Sequence, residues 1–168
     1  MKAIIKTAII KTAIIKKVII LMPLLVLGLH AVTPAQITGK WSALTQSRDS
    51  AGVSTVEKEY MFLNPDNTFS ITLFVSVSKD DAYVKDLEIV AKGIWKVQDN
   101  TLVSVIKEVN VPEAREVHLI SQQSLENLAA NFKRRFENNP IHINTIQSFD
   151  TQSMKIINHA KKVTTYRR

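Results

Sequence analysis

The amino-acid sequence predicts an all-β fold with one helix, built as an antiparallel up-and-down meander of about eight strands. Three observations lead to this fold class. Polar and apolar residues alternate with a period of two over long segments, Asp- and Asn-rich turns separate those segments, and one segment has the apolar spacing of a helix. Short turns favour antiparallel neighbours, because parallel strands need crossover connections of about a dozen residues or more.

The first 35 residues have the order of a secretory signal peptide. Five lysines between positions 2 and 17 precede the apolar segment 18–29, and the small-residue segment Thr33-Pro34-Ala35 follows it. The apolar segment has 12 residues and contains Pro23, whereas a membrane-spanning helix needs about 20. We therefore expect cleavage after Ala35 rather than a retained anchor. Residues 36–168 would then form one exported domain, periplasmic or extracellular, with no stable membrane anchor.

The charge of the chain lies largely in this leader. The whole chain carries +7, and setting aside the five leader lysines leaves 17 basic against 15 acidic residues, a net charge of +2. Five of the remaining basic residues lie beyond position 154 with no acidic residue among them. A nucleic-acid-binding protein usually has a broader basic face with interleaved aromatic residues. We expect no nucleic-acid partner.

The chain contains no cysteine. This excludes a thiolate nucleophile, a cysteine-ligated zinc, a disulfide framework and a lipid-modified cysteine anchor. The domain after the leader must therefore be stabilised by its hydrophobic core, and its length suffices for one domain.

The strands are predicted in order along the domain. Segments 68–77 and 86–97 alternate most regularly between apolar and polar residues, so each buries one face. Proline and Asx residues at 64–67, and Asx-containing turns at 98–100 and 150–153, fit hairpin connections. Less regular strand patterns cover residues 37–45, 55–63, 101–110, 115–120, 141–149 and 154–166.

One amphipathic helix is predicted near residues 122–138. Ser121 or Ser124 can cap its first turn, and Asn138-Asn139-Pro140 ends it. The helix either covers an opening of a closed sheet or packs on one face of a β-sandwich. Its apolar residues recur at helical spacing: Leu125, Leu128, Ala129, Phe132 and Phe136.

Several short motifs occur in a fixed order along the domain. Gly39-Lys40-Trp41 stands at the head of the first strand, the aromatic and Asp-Thr-Phe positions of 62–69 follow, and 93–102 repeats a Gly-x-Trp pattern before a turn. Together with Thr165-Tyr166-Arg167, this succession resembles the secreted lipocalin-like (calycin-type) β-barrel proteins of unknown function found in Bacteroidetes. The resemblance implies a lipocalin-like barrel, with a β-sandwich as the alternative fold.

The resemblance also implies roles for three residues. In lipocalins the Gly-x-Trp tryptophan closes the bottom of the barrel, and a basic residue of the last strand packs across its ring. By this resemblance Gly39, Trp41 and Arg167 would be structural, with Arg167 in a cation–π contact with Trp41. The helix of this chain precedes the last two strand patterns, whereas the lipocalin helix follows the barrel.

Catalytic and metal-binding candidates are weak. His118, His142 and His159 do not have metal-ligand spacing along one element. If Phe149 pairs with Met154, a regular hairpin places His142 and His159 diagonally on one face, although surface histidines are the simpler interpretation. Two acidic residues of the second strand, at 57 and 59, share one face, which we interpret as solvated. We expect no catalytic residues, no metal and no cofactor.

Binding is the remaining function. We expect a secreted, non-enzymatic, lipocalin-like protein that binds a small apolar ligand in the barrel; a protein-interaction or inhibitor module acting through loops or helix is the alternative, and a hydrolase ranks third. An apolar cavity of roughly a few hundred Å³ or more would favour the ligand, and a filled barrel with an exposed apolar patch would favour the interaction module. Six aromatic residues are candidates to line the barrel: Tyr60, Phe62, Phe69, Phe74, Tyr83 and Trp95.

Overall fold

A computed structural model describes residues 31–112 and 114–168 of the chain. The predicted cleavage position lies within this range, whereas the lysines and the apolar segment of the leader lie outside it. The described residues form nine strands and two helices: α1 (Pro34–Ile37), β1 (Gly39–Arg48), β2 (Ser54–Leu63), β3 (Thr68–Lys79), β4 (Ala82–Gln98), β5 (Thr101–Asn110), β6 (Ala114–His118), α2 (Gln122–Glu137), β7 (Ile141–Phe149), β8 (Ser153–Asn158) and β9 (Val163–Arg167).

Eight of these strands close into an antiparallel barrel. The ring runs β1-β2-β3-β4-β5-β7-β8-β9 and returns to β1, where Ser42 pairs with Arg167. The Ser42 hydroxyl also donates a hydrogen bond to the Arg167 carbonyl at 3.2 Å. The predicted up-and-down barrel is therefore confirmed, and the sandwich alternative is wrong.

The strands that form the ring differ from the predicted strands in two places. The predicted strand at 115–120 becomes β6, which lies outside the ring and pairs with the first part of β4. The predicted strand at 154–166 divides at a turn into β8 and β9, where Asn158 Oδ1 accepts a hydrogen bond from the Lys162 amide at 3.0 Å. The ring still contains eight strands, because β6 lies outside it and the predicted strand at 154–166 supplies two strands, β8 and β9.

The predicted hairpin turns are present. Asn67 and Asp99 adopt left-handed backbone conformations, with φ of 65° and 54°, which Asx residues tolerate better than most. Asp66 Oδ1 accepts hydrogen bonds from the Thr68 amide and hydroxyl at 2.9 and 2.6 Å. These side-chain contacts explain why the polar turn residues connect adjacent strands so tightly.

Trp41 closes one end of the barrel. Its side chain is buried, its Nε1 donates to the Ile37 carbonyl at 2.7 Å, and Phe149 packs edge-on against it at 6.1 Å between ring centroids. The cation over its ring is Arg168, with Cζ 4.4 Å from the ring centroid. The expectation that Arg167 makes this contact is wrong by one position, because Arg167 is exposed on β9 and the side chain of the next residue, Arg168, lies over the ring.

Two glycines are required by geometry. Gly39 has φ of +125°, a conformation that residues with a Cβ rarely adopt. Gly93 lies at a β-bulge in the pairing of β4 with β5. A Cβ added to Gly93 would collide with the Val105 carbonyl oxygen and lie 2.8 Å from the ring of Phe69. The absent side chain at position 93 is therefore what lets Phe69 pack across this part of the barrel wall.

Helix α2 covers the opposite end. The backbone N–H of Ser124 donates to the Ser121 hydroxyl at 3.2 Å, which identifies Ser121 as the N-cap of α2. The predicted apolar residues of α2 all pack against a hydrophobic cluster on β3 and β4, formed by Leu73, Val75, Val84, Leu87 and Ile89. Within residues 31–112 and 114–168, no helix combines the length and the apolar character needed to cross a membrane.

Candidate ligand cavity

The barrel encloses a cavity of about 170 Å³ beneath α2. Alternation along the strands places both apolar and polar side chains on its inner face, as on β2, where Met61 is followed towards the mouth by Glu59 and Glu57. The cavity is therefore amphipathic, whereas the sequence predicts an apolar one. Its apolar lining comes from Met61, Phe69, Ile71, Leu73, Leu102, Ile106, Phe136 and Ile156.

Two of the six aromatic residues predicted to line the barrel do face its interior. Phe69 lines the cavity. Trp95 is buried in the same core, but it fills the closed end, where its Nε1 donates to the Asn64 carbonyl at 3.1 Å. Of the predicted set, Phe69 alone therefore borders the open space.

The other four aromatic residues lie elsewhere, so their assignment to the barrel lining is corrected. Tyr60 and Phe62 are 51% and 38% exposed on the outer face of β2, and Phe74 stacks edge-on against Tyr60 from β3 at 6.1 Å. Tyr83 lies near the start of β4, paired with Ser78 of β3 and stacked on His118 of β6, and it does not line the cavity. The reason is the period of two: Met61 and Leu63 take the inner face of β2, so their neighbours must face outwards.

Glu59 lies on the inner face of β2, where we expected a solvated side chain. Its carboxylate Oε1 accepts a hydrogen bond from the Tyr166 hydroxyl at 2.7 Å. Desolvation raises the pKa of the Glu59 carboxyl, and the neighbouring Glu57 adds to this, while the Tyr166 hydrogen bond opposes it. Burial and the Glu59 carboxylate together raise the pKa of Tyr166 well above 10, so its hydroxyl remains a donor.

His142 faces the cavity from β7 with an unused nitrogen. Its Nε2 is buried and has no hydrogen-bond partner among the described residues. Desolvation and the positive charge of Arg135 lower the pKa of His142, so the ring is neutral at neutral pH, and Nε2 can accept a hydrogen bond when the ring proton is on Nδ1.

The rim of the cavity is formed by the end of α2 and the mouth of β2. Arg135 Nη1 lies 3.3 Å from Glu57 Oε1, and this ion pair joins the helix to the barrel. Phe136, the next residue of α2, lies against His142 with 6.3 Å between ring centroids. Lys162 also lines the cavity, from the turn between β8 and β9. The helix thus supplies both a cation and an aromatic ring to the mouth.

The regular hairpin that would place His142 and His159 diagonally on one face does not form. Phe149 does pair with Met154, but a bulge between Ile146 and Ser148 shifts the register, so Asn144 faces Asn158. His159 then falls beyond the end of β8 and is exposed. Residues 31–112 and 114–168 contain no group of three or more His, Asp or Glu side chains positioned to hold a metal ion.

Glu59, Tyr166 and His142 are the residues of the cavity that the sequence interpretation missed as a group. One signal was available for Glu59: it shares its face of β2 with Met61 and Leu63, both buried. Tyr166 and His142 carry no comparable signal. The position of Tyr166 depends on the closure of β9 onto β1, and His142 stands between Ile141 and Ile143, two apolar residues that face outwards.

Comparison with known proteins finds no matching family model and no matching curated protein. The described residues fold as a closed eight-stranded antiparallel barrel with one long helix.

Proposed function

We propose that this chain is an exported, non-enzymatic, lipocalin-like protein that binds one small, partly apolar molecule inside its barrel. The observation that carries the proposal is the amphipathic cavity, which combines an apolar inner part with a buried, unpartnered His142 Nε2. A buried polar atom without a partner is costly. A ligand that reaches into the cavity would supply that partner.

The cavity sets the size of the ligand. A space of about 170 Å³ is close to the roughly 150 Å³ that accommodates benzene in an engineered apolar cavity. It is smaller than the roughly 300–1,000 Å³ typical of sites for drug-sized ligands. We therefore expect a ligand of about six to ten non-hydrogen atoms. The cavity is smaller than the space of roughly a few hundred Å³ expected for a ligand site, so its amphipathic lining rather than its volume supports a ligand over the interaction module.

The contacts of the polar residues favour binding over hydrolysis. Ser104 of β5 lies opposite His142 in the strand register, but the imidazole Nε2 accepts no hydrogen bond from it. An activated serine needs a base within roughly 2.6–3.2 Å of its hydroxyl. A hydrolase therefore ranks below a binding protein.

The packing of the first described residues bears on where the leader would be cut. The Val32 amide donates to the Asp99 carbonyl at 3.1 Å, and Val32 packs on the barrel core. A cut after Ala35 would divide α1, whereas a cut after Ala31 would keep α1 with the domain. We propose that the mature chain begins at Val32. The intact mass of the exported protein tests this: a chain beginning at Gln36 would contradict the position, and an unprocessed chain would contradict cleavage.

Titration with benzyl alcohol tests ligand binding. We expect saturable shifts of the methyl resonances of Met61, Ile106 and Ile156 in methyl-labelled protein. Ile106→Phe should weaken binding at least tenfold, because the added ring occupies the cavity. The matched control is Ile94→Phe, the same change at a side chain that is 48% exposed on β4. Absence of saturable shifts in the wild type, or equal binding by both variants, would contradict the proposal.

A further inference from the structure

The interior carboxylate of Glu59 lacks a cationic partner. Its described hydrogen bond comes from the neutral Tyr166 hydroxyl, and no Lys or Arg nitrogen of the described residues forms a salt bridge with it. A carboxylate has about four lone-pair positions, so it can accept further hydrogen bonds from the cavity side. Desolvation, which raises the pKa of Glu59, would be offset by a positive charge placed beside it.

The basic residues at the rim do not fill this role. Arg135 is engaged by Glu57 at 3.3 Å, so the two charges balance each other. Lys162 is exposed on its turn. Their effects on the pKa of Glu59 are smaller than that of desolvation. Inside the cavity, below the Arg135–Glu57 ion pair, the Glu59 carboxylate is therefore left without a cation to balance its charge.

His142 adds a second acceptor to the same cavity. Its Nε2 is buried and has no partner among the described residues, and it accepts a hydrogen bond when the neutral ring carries its proton on Nδ1. Glu59 and His142 thus both require a hydrogen-bond donor from the ligand. A ligand carboxylate would place a lone pair against each of them, and a hydrocarbon would leave both unpartnered.

From these contacts we propose that the ligand is a small primary amine, bound as its ammonium ion, with an apolar body about the size of one benzene ring. This inference rests on the proposed function, since it names the ligand class of the same cavity. The ammonium group has three N–H donors and a full charge. One donor would bind Glu59, a second is available for His142 Nε2, and the apolar body would lie against Phe69, Ile106 and Ile156, which line the same cavity.

Three probes with one shared phenyl group test the ligand class: benzylamine, benzyl alcohol and benzoate, each titrated calorimetrically into the full domain at neutral pH. Benzylamine should bind at least about tenfold more tightly than benzyl alcohol, because its hydrogen bonds are charge-assisted. Benzoate should bind more weakly than either. Glu59→Gln should remove the preference for the amine while changing the affinity for the alcohol less than about threefold.

The matched control is Glu88→Gln, which neutralises a carboxylate on the outer side of β4 beside Lys58 and Tyr60. It should leave the order of the three probes unchanged. Equal or tighter binding of the alcohol or of benzoate by the wild type would overturn the inference while leaving the proposed function intact, and this comparison does not depend on any variant folding. Binding of none of the three probes would instead count against the proposed function.

Discussion

Arg168→Ala should destabilise the closed end of the barrel, whereas Arg167→Ala should not. The Arg168 guanidinium lies over Trp41 at 4.4 Å, and its Nη2 donates to the carbonyls of Gln36 and Thr38 at 2.7 and 3.0 Å. It therefore ties the last residue to α1 and to the residue before β1. The neighbouring Arg167 is exposed, and its described hydrogen bond uses the backbone carbonyl, which the substitution keeps.

The size of the effect follows from these contacts. An exposed cation–π contact contributes about 0.5–1 kcal/mol, and each hydrogen bond contributes about 0.5–1.5 kcal/mol, less where water replaces it. We expect Arg168→Ala to lower the free energy of unfolding by about 1–2.5 kcal/mol. At about 3–5 °C per kcal/mol for a domain of this size, Tm should fall by about 3–12 °C. Arg167→Ala should change stability by less than about 0.5 kcal/mol.

Urea unfolding followed by circular dichroism measures both variants against the wild type. The backbone hydrogen bond from the Arg168 amide to the Gln152 carbonyl at 3.0 Å is retained in the variant, so the loss reports the side chain. Equal loss in the two variants, or a larger loss for Arg167→Ala, would refute the assignment of Arg168 to Trp41.

Three further predictions concern the barrel wall, the interior carboxyl and the rim. Gly93→Ala should lower the free energy of unfolding by about 2 kcal/mol or more, because its Cβ would collide with the Val105 carbonyl and crowd Phe69; denaturation at a wild-type midpoint would contradict the close packing described for this bulge. Because the pKa of Glu59 is raised in the folded chain, there is a pH range above 4.5 in which the folded chain keeps this proton and the unfolded chain has lost it. The stability contributed by this group is full below that value and is lost as pH rises through the folded pKa, so Glu59→Gln should gain stability relative to the wild type between pH 4.5 and neutrality; a difference independent of pH would show that the carboxyl is not desolvated. Glu57→Gln, which breaks the rim ion pair with the half-exposed Arg135, should cost less than about 1 kcal/mol in urea unfolding, and a larger loss would mean that the pair holds α2 in place.

The fold could be predicted from the sequence because its signals are local. The alternation of β3 and β4, the Asx residues of the turns and the apolar spacing of α2 each depend on residues close in the chain. The choice of a barrel over a sandwich came from the motif resemblance around Trp41. The strand pairing confirms it.

The cavity could not be predicted to the same depth. In β2 both faces carry large apolar residues, Tyr60 and Phe62 on one and Met61 and Leu63 on the other, so alternation alone does not say which face is buried. The bulge in β7 changes the partners of every residue beyond it. The sequence likewise does not show whether Arg167 or Arg168 lies over Trp41, because this depends on the exact register of β9 against β1.

The most direct test of the central claim is the location of a bound ligand inside the barrel. Intermolecular nuclear Overhauser effects should be measured between the ring protons of benzylamine and the isoleucine methyl groups of the labelled protein. We predict contacts to Ile106 and Ile156, which line the cavity, and none to Ile94, Ile141 and Ile143, which are exposed on the outer face. Contacts confined to the outer isoleucines, or no contacts at saturating ligand, would contradict a binding site in the barrel interior.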